Sequence, residues 1–109
     1  MNNILSGLVD QLCDAILDSS EYQGYKRQQE IVKDQPEVID KINELRNLNM
    51  RLQSIQNSDE AYEEYEKLEK RFEELSDDKR VFDFMEAENR FIGVYRELNK
   101  RIMDHIQFI

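Results

Sequence analysis

Punctuation is scarce in this chain: 109 residues hold three glycines, one proline, no threonine and no tryptophan. Glycine and proline end or bend regular elements, and strands draw on β-branched and aromatic residues. Their shortage excludes a fold of many short strands and leaves a string of helices, some of them long. The chain also has one cysteine, Cys13, and one histidine, His105. A lone thiol excludes an intrachain disulfide and a zinc site built from cysteines. On an apolar helix face it reads as a small buried hydrophobe. No zincin, phosphate-loop, dinucleotide-binding or nucleophile-elbow pattern occurs. Ile102 stands three residues before His105, where a Glu-x-x-His di-iron motif needs a carboxylate. No cofactor and no metal are expected, and the inventory does not fit an enzyme.

Two further absences bound the location and the partners. The opening Met1-Asn2-Asn3-Ile4-Leu5 lacks the basic start of a signal peptide, and no apolar run nears the ~18 residues of a membrane span. A cytoplasmic protein without membrane contact is expected. Basic surface is short as well: the net charge is −9, from 15 basic and 24 acidic residues. Residues 1–21 hold four acids (Asp10, Asp14, Asp18, Glu21) and no base, and residues 58–77 carry nine acids against three bases. Direct binding to nucleic acid needs a basic face, so none is expected.

What remains is apolar periodicity. Ile4, Leu8, Leu12 and Ile16, joined by Leu5 and Val9, mark an amphipathic helix over roughly 3–18 with one buried face and an acidic stripe of Asp10, Asp14 and Asp18. Ser19 or Ser20 offers a cap for a second helix, about 20–33, with Tyr22, Tyr25 and Val32 on one side. Asp34-Gln35-Pro36-Glu37 reads as a helix start, with Asp34 as cap and Glu37 as its return carboxylate. The third helix, about 35–56, carries Val38, Ile42, Leu45, Leu48, Leu52 and Ile55. After a break at Gln56-Asn57, Ser58 or Asp59 caps a fourth over 59–75, with a seam of Ala61, Tyr65, Leu68, Phe72 and Leu75 under a glutamate-rich face. Ser76-Asp77-Asp78 stops that helix and caps the last, 78–107, whose seam is Phe84, Phe91, Tyr95, Leu98, Ile102 and Ile109. The expected fold is all-α: one domain over 1–109, an elongated antiparallel bundle with one long C-terminal helix.

Length implies assembly. About 29 helical residues span roughly 43 Å at ~1.5 Å each, whereas a compact domain of ~100 residues is about 34 Å across. The last helix should overhang its own domain with an apolar stripe along its whole length, and such exposed surface marks a subunit contact. A homodimer or higher homo-oligomer is expected, with Phe84, Glu88, Phe91, Tyr95, Leu98 and Ile102 as candidate interface residues. Two polar residues interrupt seams: Asn49 between Leu45 and Leu52, and Glu88 between Phe84 and Phe91. Each is either buried, where Asn fixes register and Glu needs a partner, or at a wet edge of its face. Ala87 beside Glu88 is small enough to admit a close helix.

The stretch Val81-Phe82-Asp83-Phe84-Met85-Glu86-Ala87-Glu88-Asn89-Arg90 through Leu98-Asn99-Lys100-Arg101-Ile102 resembles the C-terminal signature of the YlbF/YmcA/YheA family. Ser20-Glu21-Tyr22 with Tyr25, then Val32, Asp34 and Pro36-Glu37, resemble that family's opening. The resemblance implies a small helical, oligomeric, cytoplasmic bacterial protein, mostly of Gram-positive organisms. It implies regulation of competence, sporulation or biofilm formation, through a complex with a YaaT-type protein that directs ribonuclease Y. Some members carry a cysteine-rich C-terminal tail for an iron–sulfur cluster. A chain ending at Ile109 with Cys13 alone resembles the YheA-like branch instead. The function expected is a non-enzymatic regulatory adaptor working through helix–helix contacts. The alternative is a self-assembling structural or chaperone-like helical protein without a specific client.

Overall fold

The computed structural model describes residues 1–55 and 59–107, and among these the chain forms five helices. They are α1 (Asn3–Leu17), α2 (Ser20–Val32), α3 (Pro36–Ser54), α4 (Asp59–Ser76) and α5 (Lys79–Ile106). The expected break at Gln56-Asn57, the cap Ser58 and the seam residue Ile109 lie outside the described residues. Asn2 caps α1, its Oδ1 accepting from the Leu5 amide at 2.7 Å. Ser19 joins α1 to α2 in one step. Its hydroxyl donates to the Ile16 carbonyl at 2.6 Å and accepts from the Tyr22 amide at 3.2 Å, so one side chain closes one helix and opens the next. Asp78 caps α5, accepting from the Arg80 amide at 3.0 Å.

One start differs from expectation. The N-cap of α3 is Gln35, which makes no side-chain cap bond, and Pro36 occupies the first turn. The Gln35 side chain donates instead to the Ile31 carbonyl at 2.8 Å, sealing the end of α2. Asp34 therefore lies one residue too early to cap, and proline, which has no N–H to satisfy, lowers the need for a cap.

The core sits where α2, α3, α4 and the first half of α5 meet. Val32, Val38, Ile42, Leu45, Leu48, Leu68, Leu75, Val81 and Phe84 are buried together, and no polar side chain is buried with them. Side-chain pairs fix the directions. Tyr22 meets Phe91 and Tyr25 meets Phe84, so α2 runs antiparallel to α5. Arg71 bonds Glu44 at 2.7 Å and Arg51 bonds Glu64 at 3.1 Å, so α3 and α4 are antiparallel. Lys41 bonds Asp78 at 3.0 Å and Arg46 bonds Glu88, so α3 and α5 run in the same direction.

α1 departs from expectation. Its apolar face is not buried: Ile4 is 79% exposed and Leu8 55%, and no residue of the helix is buried. The cause is connectivity. The two-residue turn at Asp18-Ser19 swings α1 away from the core, so that it packs against α2 and no other helix. The molecule is accordingly extended, 53 × 42 × 19 Å with a radius of gyration of 18.3 Å. A compact chain of this length has about 13 Å.

Candidate protein-interaction site

α5 carries all six candidate interface residues, and the fold divides them. Phe84 is 5% exposed and packs within the chain's own core. Phe91 is half-buried in an aromatic cluster, 5.2 Å edge-on from Tyr22, stacked 5.4 Å from Tyr25 and 5.3 Å from Tyr95. Such pairs add about 0.5–1.5 kcal/mol each beyond simple burial, and here they lock α2 onto α5. Beyond this cluster the described part of α5 packs little against the rest of the chain. Tyr95 and Ile102 are about half exposed, Leu98 is half-buried, and every described residue from 99 to 107 is exposed.

Glu88 belongs to the packed half. Its side chain is 13% exposed, and its carboxylate bonds the Arg46 guanidinium through Nη2 and, at 3.4 Å, through Nε. Arg46 also lies 5.6 Å from the centroid of the Phe84 ring and donates to Asn43 at 3.3 Å. The Glu88 hydrogen bond raises the Arg46 pKa above its ordinary value against the opposing effect of burial. A planar guanidinium suits this place because it binds a carboxylate through two nitrogens while covering an aromatic face. Of the two readings of Glu88, the paired one holds. Asn49 is exposed and lines an open apolar groove of about 510 Å³ with Leu45, Phe72, Phe82 and Met85. On the other side of α5, Gly24 and Ala87 share a charged groove of about 430 Å³ with Arg27, Glu86 and Arg90. The close helix that the small Ala87 admits is therefore this chain's own α2.

The open surface is a fork. α1 and the last turns of α5 both leave the Tyr22–Phe91–Tyr95 cluster at the start of α2, and they do not pack on each other. Each prong is apolar: Ile4, Leu5, Leu8, Val9 and Leu12 on α1, and Tyr95, Ile102, Met103 and Ile106 on α5. Full burial of such side chains is worth about 1.5–3 kcal/mol each, so the fork holds more unrealised apolar burial than any other part of the molecule. Cys13 lies on the α1 prong and is exposed, not buried as a small hydrophobe, because α1 has no second neighbour. His105 is exposed on the α5 prong. Among the described residues no three His, Cys, Asp or Glu stand together where they could hold a metal ion. No described helix is long and apolar enough to cross a membrane.

Sequence reading missed two participants. Arg46 was not singled out, although it lies four residues after Ile42 and so borders the buried stripe of α3. A glutamate in a seam needs a cation on a facing helix, and that requirement points to it. The unpartnered face of α1 was also missed, because periodicity shows that a face is apolar but not what covers it.

One family description, control of competence regulator ComK, YlbF/YmcA, matches residues 7–107. That span takes in both prongs of the fork as well as the core. No curated protein and no solved structure matches the chain. The chain belongs to the YlbF/YmcA family.

Proposed function

We propose that this protein is a non-enzymatic regulatory adaptor that acts through helix–helix contacts, in the control of competence that describes its family. The observation that carries the reading is the fork: two amphipathic helical prongs whose apolar faces are largely open among the described residues. By resemblance, the finer reading is a protein complex of the YaaT and ribonuclease Y kind, with consequences for competence, sporulation or biofilm formation. Homo-oligomerisation belongs to the same reading, with Tyr95, Leu98 and Ile102 at the contact. The cytoplasm is the compartment proposed.

Affinity purification from the source organism with mass spectrometry tests the adaptor role. A defined client in stoichiometric yield is the expected result, and Leu98→Asp should deplete it by placing a charge in the stripe. Recovery of the chain alone, in large assemblies, would favour the self-assembling structural reading, which the same apolar faces also support. Nucleic acid should not be the client. With a net charge of −9, salt-sensitive submicromolar binding of the purified protein to RNA would contradict this proposal.

A further inference from the structure

We propose that the break between α1 and α2 is a register block. It stands where the apolar face of the chain changes sides, so that α1 cannot cover the open end of its own α5. This goes beyond the adaptor reading and concerns the single chain. α2 runs antiparallel to α5 with Tyr22 against Phe91, and α5 continues from there to Ile106. Straightened at Asp18-Ser19, the chain from Asn3 to Val32 would make one helix about 45 Å long at ~1.5 Å per residue, beside an α5 of about 42 Å. Length therefore permits α1 to lie along the end of α5. Phase forbids it.

Glu21, Tyr25, Gln28 and Val32 alternate steps of four and three along α2 and form a row of half-buried and buried residues. Carried back through a continuous helix of ~3.6 residues per turn, that row passes through Asp18 and Asp14. Asp14 stands 11 residues before Tyr25, about three whole turns. Leu12 stands nine residues before Glu21, about two and a half turns, and so falls on the opposite side with Leu5 and Leu8. In the straightened chain the carboxylates would lie over Tyr95, Leu98 and Ile102 while the leucines faced water. The bases bordering that seam are Arg101, already bonded to Glu97 at 2.9 Å, and His105 near its far end. A carboxylate moved onto apolar surface loses hydration and gains no partner.

The break is also held by its own hydrogen bonds. Asp18 is helical and Ser19 extended, with φ −67° and ψ 150°. Ser19 bonds both the Ile16 carbonyl and the Tyr22 amide. The Gln23 side chain donates to the Leu17 carbonyl at 2.8 Å, so Ser19 and Gln23 satisfy the end of α1 that a continuing helix would otherwise serve. The turn sets where α1 points, and the phase ensures that straightening it would cover acids and gain no apolar contact. The isolated chain therefore has no self-covered state, and both prongs stay open.

Re-phasing α1 tests this on the full-length chain. Four proteins are compared: the wild type, Ser19→Ala/Gln23→Ala, and that double variant with two or with four alanines inserted between positions 19 and 20. Two alanines turn α1 by about 200° and set Leu12 and Leu5 close to three and five whole turns before Glu21, on the side facing α5. Four turn it by about 400°, which leaves the leucines mostly on the far side while keeping the helix continuous. Spin labels on Cys13 and on Lys100→Cys, both exposed, report the separation of the prongs. Dilution with unlabelled protein confines the reading to one chain, and circular dichroism checks helix content. The expected result is a distance of roughly 10–20 Å in the two-alanine protein alone, as for labels on helices whose axes lie about 8–10 Å apart, and a longer one in the other three. A short distance in the wild type or in Ser19→Ala/Gln23→Ala would overturn the register block. So would equal distances in the two- and four-alanine proteins, because these differ in phase and hardly in length. Recovery of a client by the wild type is read separately, so failure here leaves the adaptor reading intact.

Discussion

The two halves of α5 are written in the same pattern and meet opposite fates. From Val81 to Phe91 the seam residues Val81, Phe84 and Phe91 are packed by the other helices; from Tyr95 to Ile106 the same spacing continues over surface that is largely open among the described residues. α2 and α1 repeat the contrast. α2 carries only a few apolar residues, yet Val32 is buried and its two tyrosines are locked against α5, whereas the richer stripe of α1 lies open. An apolar stripe specifies a demand for burial. Which partner meets the demand is set by turns and by length.

The comparison breaks most sharply at Phe84. This ring is buried against Tyr25 at 5.7 Å and Arg46 at 5.6 Å. Phe84→Ala should destabilise the fold by about 3–5 kcal/mol, a large share of the ~5–15 kcal/mol that holds a typical domain. Thermal or urea unfolding reads this directly. Tyr95→Ala, on the same seam but half exposed, should cost a single chain far less, and equal losses would erase the distinction between the halves.

Next in size is the Arg46–Glu88 pair, which ties α3 to the packed half. Removing Glu88 leaves a partly exposed guanidinium without its acceptor and takes away the side chain that ties α5 to α3, so Glu88→Ala should destabilise by about 0.5–1.5 kcal/mol. Arg46→Ala should cost a similar amount and also lose the cover over Phe84. The double variant should cost less than the sum of the two, because each single change strands the other's charge. Strict additivity in that cycle would remove the pair from the account.

These two sites also show what could be read from residues alone. Ser19 and Asp78 were legible as caps because a side-chain oxygen before an apolar run has a specific job at a helix start. Glu88 was legible as a residue in need of a partner, but its partner is 42 residues away, and no local pattern chooses among facing cations. Asp34 was misjudged because the proline after Gln35 already relieves the end that a cap would serve. The exposed face of α1 was beyond reach for a different reason: the direction in which a two-residue turn sends a helix is a backbone property that side-chain periodicity does not encode.

A smaller effect separates the halves by pH. Asp78 caps α5 and bonds both Arg80 and Lys41, and these hydrogen bonds hold its carboxyl well below the usual carboxylate range. A group depressed in this way contributes stability that is complete above its unfolded pKa, near ~4, and is lost as pH falls through its folded value. Asn caps a helix about as well as Asp, so Asp78→Asn isolates the charge. The stability gap between wild type and Asp78→Asn should be constant near neutrality and should close as the pH drops below about 4. On the open half of α5 the comparable pair, Arg101 with Glu97 at 2.9 Å, joins two exposed side chains of one helix and so contributes little. A gap for Asp78→Asn that persists at low pH would mean that shape, not charge, is what the residue supplies.

The finest distinction comes from two glycines, one in each region. A Cβ at Gly24 in α2 would find only the far end of the Arg27 side chain, at 3.9 Å, and a Cβ at Gly7 in α1 would meet nothing within 4 Å. Neither position needs glycine for space or for backbone conformation, so alanine should favour the helix at both by about 0.5–1 kcal/mol. The two gains should nonetheless be read by different measurements. α2 unfolds with the core, so Gly24→Ala should raise the global unfolding free energy by that amount. α1 is attached through α2 alone, and a weakly attached helix opens on its own, below the free energy of the whole. Gly7→Ala should slow amide hydrogen exchange in α1 by roughly 2–5-fold and leave Tm unchanged. A Gly7→Ala effect that appears in Tm as fully as that of Gly24→Ala would show that α1 is no more independent of the core than α2 is.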